Sequence, residues 1–204
     1  MNTDSKFAEL KEREREARKQ IIIDSALALF AKKPFYEVGM REVAEEAGVS
    51  PATLYRYFPS QEELFVEAFI QDISSVSLEF ENMVKKEQPA TIEECAITYV
   101  DHLFQNESTF QMMTYILLKD NLDKSALAEF GSITKVFFDT FERLLRRYGA
   151  QEDVRLYVHA LIAAMTGIII TFRNHPIKEK EEIREHIFKV TKIMADLFSN
   201  KIIK

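Results

Sequence analysis

Thr53, Tyr55, Arg56 and Tyr57 crowd polar and cationic chemistry into one short segment. Leu54 and Phe58, four residues apart, face a core if the segment is helical. That turns Thr53, Arg56 and Tyr57 outward and puts Tyr55 at the flank. Hydroxyls of this kind bond phosphate oxygens, and an arginine matches the acceptor pair on a guanine edge. Pro51 and Ala52, just ahead, offer apolar contact to thymine methyls. Two tyrosines and an arginine on an exposed face are costly unless they touch something. The bland alternative is a surface helix that packs domains together.

The preceding turn favours the nucleic-acid reading. Met40, Val43, Ala44 and Ala47 recur at i, i+3, i+4 and i+7, one buried face of a helix that Gly39 starts. Gly48 stands where that helix must stop, at the left-handed position glycine adopts most readily. Val49 is apolar and plugs the angle between the helices. Ser50 caps the next helix, Pro51 fits its first turn, and Pro59 ends it. Ser60 and Glu63 then match a capping box, and Leu64 and Phe65 open the next apolar stripe. Two short helices around a Gly-Val-Ser turn make a helix-turn-helix, which places a short helix in the DNA major groove. The candidate DNA contacts are Gly39, Met40, Arg41, Pro51, Ala52, Thr53, Tyr55, Arg56, Tyr57 and Gln61. Arg56 is the base reader, Thr53, Tyr55 and Tyr57 anchor phosphates, and Gly39 and Met40 offer helix-start amides to another phosphate.

Ile22, the run Ala26 to Phe30, the run Val43 to Ser50, the run Thr53 to Phe58, and Glu62-Glu63-Leu64 together resemble the tetracycline-repressor-like (TetR/AcrR) family. The resemblance covers about residues 15–68. It implies a DNA-binding head followed by a helical ligand-binding domain. The family often has Thr or Ser where Gly39 stands, Lys where Gln61 stands and Gly where Ala52 stands, so the resemblance does not fix the number of phosphate contacts here.

The elements that hold this head read as helices throughout. The chain has only five Gly and five Pro and no alternating β pattern, so the expected class is all-α. Helix one is expected over roughly 8–32, with Ile22, Ala26, Leu29 and Phe30 inward. The fourth helix, about 60–87, links the head to the rest. Others are expected at about 91–105, 108–119, 123–147, 152–173 and 179–202. They are separated by breaks at Pro89-Ala90-Thr91, Asn106-Glu107-Ser108, Asp120 to Asp123, Tyr148-Gly149 and Asn174-His175-Pro176. The expected organisation is an extension over 1–14, a helix-turn-helix domain over 15–65 and an effector-binding and dimerisation domain over 66–204.

Charge is distributed unevenly. The net charge is −6, yet residues 1–58 carry 10 Lys+Arg against 10 Asp+Glu. The acidity therefore lies outside the head, and specific binding must lean on geometry and dimerisation. Lys11, Arg13, Arg15, Arg18 and Lys19 interleave with Glu9, Glu12, Glu14 and Glu16, which reads first as a solvated helix start. A backbone contact from Arg15, Arg18 or Lys19 is the second reading. No uninterrupted run of 18 apolar residues occurs, and residues 1–20 are too charged for a signal peptide. A lone Cys95 excludes an internal disulfide and fits a reducing cytoplasm. It reads as a small buried helix residue before it reads as a redox sensor.

Tyr99, Leu103, Phe104, Phe110, Met112, Met113, Tyr115, Phe130, Ile133, Phe137, Phe138 and Phe141 crowd the middle helices. Core packing is the default reading for each. The effector pocket implied by the resemblance would draw on Tyr99, His102, Leu103, Phe110, Met113, Tyr115, Phe137, Phe141 and His159. A hydrophobic or aromatic small molecule suits such walls. Ala160, Ala164, Gly167 and Thr171 form a small-residue stripe, matched by Ile183, Ile187, Val190, Ile193, Met194, Leu197 and Phe198 on the last helix. Ala160, Ala164, Gly167, Thr171, Ile187, Met194 and Phe198 are the candidate homodimer contacts.

Enzyme patterns are missing from the sequence. Gly39, Gly48, Gly131, Gly149 and Gly167 are too scattered for a phosphate loop. Tyr99, Leu156, Phe172 and Ile183 stand three before the four histidines, so no Glu-x-x-His metal pair exists. No catalytic residue, metal or cofactor is expected. The reading is a cytoplasmic, homodimeric, ligand-responsive regulator, a repressor in its first form, partnered by a double-stranded DNA operator and a small hydrophobic effector. Two alternatives stand beside it: a helix-turn-helix regulator without a small ligand, and a helical-bundle carrier with a vestigial head.

Overall fold

The computed structural model describes residues 3–88, 90–121, 124–174, 176 and 179–202. The breaks expected at Pro89, at Leu122-Asp123 and at His175 lie outside them. Among the described residues the chain is helical, with no strand. In order come α1 (Thr3–Phe30), a short 3-10 turn (Phe35–Glu37), α2 (Met40–Glu46), α3 (Pro51–Tyr57), α4 (Gln61–Lys85), α5 (Ile92–Gln105), α6 (Glu107–Leu118), α7 (Lys124–Arg147), α8 (Val154–Phe172) and α9 (Lys180–Ile202). They fall into two compact units. One holds Met1–Gln71 and Gln111–Glu129, the other Asp72–Phe110 and Phe130–Lys204.

In the first unit the apolar faces of short helices close on one core. Ile22 and Ala26 of α1, Val43 and Ala44 of α2, Leu54 of α3, Phe58 just after it and Leu64 of α4 are all buried. Burying a side chain the size of Leu54 or Phe58 contributes about 1.5–3 kcal/mol. Phe35, on the 3-10 turn, meets Phe30, Phe65 and Tyr115 edge to face at 6.2, 5.0 and 5.1 Å. Tyr115 comes from α6, whose Lys119 pairs with Glu62 at the start of α4. Lys19 of α1 pairs with Glu67 at 2.6 Å.

In the second unit α5 packs against α8 and α9, and α8 against α9. A capping box starts α5: the Thr91 hydroxyl accepts from the Glu94 amide at 3.1 Å, and the Glu94 carboxylate accepts from the Thr91 amide at 2.7 Å. Cys95, Ala96 and Val100 of α5 are fully buried, as are Val158, Leu161, Met165 and Ile169 of α8. Phe80, Phe137 and Phe141 form an aromatic cluster with centroids 5.0–5.3 Å apart, and Tyr99 joins Phe137 at 5.4 Å.

Burial pushes the Cys95 thiol up to about 12. The thiolate is the reactive form, so Cys95 should be inert in the folded chain. Iodoacetamide at pH 8 should leave it unlabelled in buffer and label it fully in denaturing urea. Labelling in buffer would restore the redox reading.

Helix α8 is long and apolar enough to cross a membrane by length and composition, although a third of it (33%) is buried in the fold. No uninterrupted apolar run was found in the sequence, because His159, Thr166 and Gly167 break it.

Candidate nucleic-acid interface

Backbone chemistry sets the angle between α2 and α3. Gly48 takes φ 66, the left-handed conformation that costs a Cβ-bearing residue energy. The Val49 amide reaches back to the Ala44 carbonyl at 2.9 Å, which closes the turn. The Ser50 hydroxyl accepts from the Thr53 amide at 3.1 Å, and Pro51 opens α3 with no amide to satisfy. Leu54 and Phe58 anchor the inner face at 0% and 1% exposure. The outer face is therefore fixed by core packing and by a cap, not by loop conformation.

That outer face differs in detail from the expectation. Pro51, Ala52, Tyr55 and Arg56 are exposed, Tyr55 by 49%. Thr53 and Tyr57 are only half-exposed. The Thr53 hydroxyl shares a hydrogen bond with that of Ser50 at 2.9 Å. Tyr55, on the flank, is thus part of the presented surface, with Arg56 opposite the buried Leu54 and Phe58. The Arg56 guanidinium lies 5.8 Å from the Tyr57 ring centroid, and among the described residues it has no ion pair.

Three further sites are placed otherwise than expected. The Gln61 amide donates to the Val38 carbonyl at 2.9 Å, tying the loop before α2 to the start of α4, so its donor is committed inward. The Met40 side chain, 7% exposed, lies on the buried face where its spacing placed it. Beside Gly39 stands the Glu42 carboxylate, held below the usual range first by Lys33 at 2.7 Å and also by the Gly39 amide. The start of α2 therefore carries a negative charge where a phosphate was expected. Arg41 is exposed. At α4 only half the expected capping box forms: the Ser60 hydroxyl accepts from the Glu63 amide at 3.1 Å, while the Glu63 carboxylate turns to the Ser125 hydroxyl at 2.6 Å.

Residues 22–68, the segment that builds this helix-turn-helix, match the model of the bacterial regulatory proteins of the tetR family. The helix-turn-helix head of this chain is that of the tetR family. It is similar to the HTH-type transcriptional repressor KstR of Rhodococcus jostii, with 30% identity over 137 residues, 67% of this chain and 63% of that protein. The match thus spans under two thirds of that relative's length. Among solved structures the chain resembles the fatty acid degradation regulator FadR of Bacillus halodurans, with TM-score 0.65 and 17% identity over 86% of this chain and 97% of that one. It also resembles FadR of Bacillus subtilis, solved with stearoyl-CoA, with TM-score 0.64 and 18% identity over 84% and 96%. These two likenesses establish a shared all-α fold.

The candidate effector residues are divided between the two units. Tyr99, His102, Leu103, Phe110, Phe137, Phe141 and His159 belong to the second unit. Met113 and Tyr115 belong to the first, where Tyr115 is held by Phe35 and by Lys119, whose ammonium donates to its hydroxyl at 2.8 Å. His159 is exposed on α8 with its ring 4.8 Å from that of Phe138, so it is a surface residue rather than a polar end for a buried ligand. The Tyr99 hydroxyl bonds that of Thr166 at 2.9 Å. His102 is the unusual one. Its Nδ1 lies 3.3 Å from the Asn106 amide, and its buried Nε2 has no hydrogen-bond partner among the described residues. Burial lowers its pKa from the ordinary value, so the ring is neutral at pH 7.

Of the candidate dimer residues, Ala160, Gly167 and Thr171 are exposed and Ala164, Met194 and Phe198 half-exposed. Ile187 is fully buried inside its own unit and leaves the set. The stripe on α9 is wide because α5 and α8 already cover part of it. Leu156 and Ile170 of α8, exposed by 67% and 45%, and Ile193 and Leu197 of α9, by 60% and 59%, are apolar and uncovered.

Proposed function

We propose that this chain is a homodimeric, ligand-responsive transcription regulator, a repressor that holds a palindromic DNA operator and releases it when a small hydrophobic or aromatic effector binds. The observation that carries the reading is the outer face of α3, with Pro51, Ala52, Tyr55 and Arg56 presented over the buried Leu54 and Phe58. Residues 15–65 act as the DNA-binding domain in this reading, and 66–204 bind effector and partner. A protein that reads genomic DNA works in the cytoplasm of a bacterium.

Selection of bound duplexes from a random pool, with purified protein at moderate salt, tests it. An enriched palindrome is expected. A folded dimer that enriches nothing would remove the reading, unless a bound ligand is first stripped and enrichment then appears.

The effector reading is supported by the aromatic cluster of Phe80, Phe137, Phe141 and Tyr99 and by the open valence of the His102 Nε2. An apolar body with one polar group satisfies both. That the B. subtilis neighbour was solved with stearoyl-CoA agrees with a long apolar ligand. Release requires that the effector bind one of two dimer states more tightly.

The dimer reading is supported by the apolar surface that α8 and α9 leave open, which a soluble regulator would bury against a second copy. Gly167 lies on that surface, and a Cβ built there meets nothing within 4 Å in the single chain. Gly167→Phe should therefore leave the monomer folded, with helix stability raised by about 0.5 kcal/mol or more for loss of the glycine. It should also shift light scattering from dimer towards monomer at micromolar concentration. An unchanged dimer would place the interface elsewhere.

A further inference from the structure

The first half of α1 has no core to serve. From Lys6 to Arg18 every residue is exposed. Helices of such length are sustained by packing or by a partner, since isolated turns are marginal in water. The charges on this half are sorted by face. Lys11, Arg15 and Arg18 follow i, i+4 and i+7 and share one side, whereas Glu9, Glu12 and Glu16 fall on another. The basic side opens onto a groove of about 610 Å³, lined by Lys11, Glu14, Arg15, Arg18, Arg56 and Tyr57. Four cations there face one carboxylate. Arg15 reaches Glu12 only at 3.7 Å, with both side chains mostly exposed, a pair that contributes little. Among the described residues Lys11, Arg18 and Arg56 have no ion pair at all.

We infer that Lys11, Arg15 and Arg18 form a second DNA contact, a basic strip that grips the phosphate backbone beside the half-site met by α3. The inference rests on the regulator reading above. Its ground is continuity, because the strip and the proposed base reader Arg56 line the same groove. Duplex DNA supplies one negative charge per about 1.7 Å of its axis, and the strip supplies three cations over about 10 Å of helix. The segregation also accounts for how a head with no net charge can hold a polyanion: four of its cations share the groove beside α3 with a single carboxylate.

The test is anisotropy titration of the full chain with the duplex obtained by selection, and with a scrambled duplex, from 50 to 200 mM salt. In the variant carrying Lys11→Gln, Arg15→Gln and Arg18→Gln, affinity should fall by a similar factor on both duplexes. The slope of log affinity against log salt should flatten by about 0.9 per lost phosphate contact, hence by about 5 for a dimer losing three per protomer. Base preference should stay as it was. Glu14→Gln, in the opposite sense, should tighten binding, and it decides the matter alone if circular dichroism shows that the triple variant has lost helix. A folded triple variant with unchanged slope and affinity overturns the strip and leaves the regulator reading standing. A wild-type chain that binds no duplex overturns both.

Discussion

Arg56→Ala should weaken operator binding by about 1–3 kcal/mol in each half-site and relax the base preference at one position in each. In a homodimer both half-sites change, so the loss in affinity is roughly 30-fold at the low end and 10⁴-fold at the high end. The folded chain should hardly notice. Arg56 is exposed, and its one described contact is the ring of its neighbour Tyr57 at 5.8 Å. Truncation of such a side chain changes stability by no more than about 0.5 kcal/mol. The measurement is a titration of wild type and variant against a panel of operators carrying each base substitution in turn. A base reader loses discrimination in one column of that panel, whereas a phosphate contact loses affinity in all columns alike. Arg56→Lys separates the two further. It keeps the charge and loses the planar fork, so non-specific affinity should persist while preference for guanine declines. Equal losses across the whole panel would make Arg56 a backbone contact, and Tyr55, exposed beside it, the next candidate reader.

The sequence carried this head in unusual detail because every step of it is local. Gly48, Ser50-Pro51 and the spacing of Leu54 and Phe58 are short-range instructions, and the structure obeys each. The ends of α4 to α9 lie within two residues of where breaks and apolar periods place them. The errors arise where a choice depends on distant chain. Gln61 has the composition of a surface residue, and only folding reveals the Val38 carbonyl within its reach. Ile187 belongs to an apolar stripe, but periodicity does not say which part of a stripe meets α5 and which is left open. Tyr115 stands among effector candidates in sequence, and only folding reveals that Phe35 and Lys119 hold its ring and hydroxyl. The 3-10 turn at Phe35 was missed because three residues hold no period. Helix α1 begins earlier than expected, at Thr3, since its first turns consist of good helix formers with no apolar face to mark them.

Arg173→Ala should cost the second unit about 2–4 kcal/mol, because it orphans two buried carbonyls while its ion-pair partner Glu107, 58% exposed, returns to water. Its side chain, 6% exposed, leaves the end of α8 and caps the end of α5, seventy residues earlier. Nη1 donates to the Leu103 carbonyl at 2.6 Å and to that of Phe104, and Nη2 pairs with Glu107. Leu103 and Phe104 lie in the last turn of α5, where carbonyls have no partner within the helix and its dipole is negative. The guanidinium also covers the Phe110 ring at 4.7 Å and that of Phe104 at 5.5 Å. Alanine removes all of this at once, and each orphaned buried carbonyl alone costs about 1–3 kcal/mol. Against a total stability of about 5–15 kcal/mol the loss is large. It should appear as a lower urea midpoint with an unchanged m value. Arg173→Lys keeps the charge but cannot span two carbonyls and a carboxylate, so it should fall between. Arg173→Met refills the space without donors and should remain close to alanine if hydrogen bonding dominates, or recover most of the loss if packing on Phe104 and Phe110 does. A cost below about 1 kcal/mol for alanine would mean that water reaches both carbonyls. His102 and Asn106 share that same last turn of α5, so a loosened joint should also weaken any effector that bonds the His102 Nε2, in proportion to the stability lost.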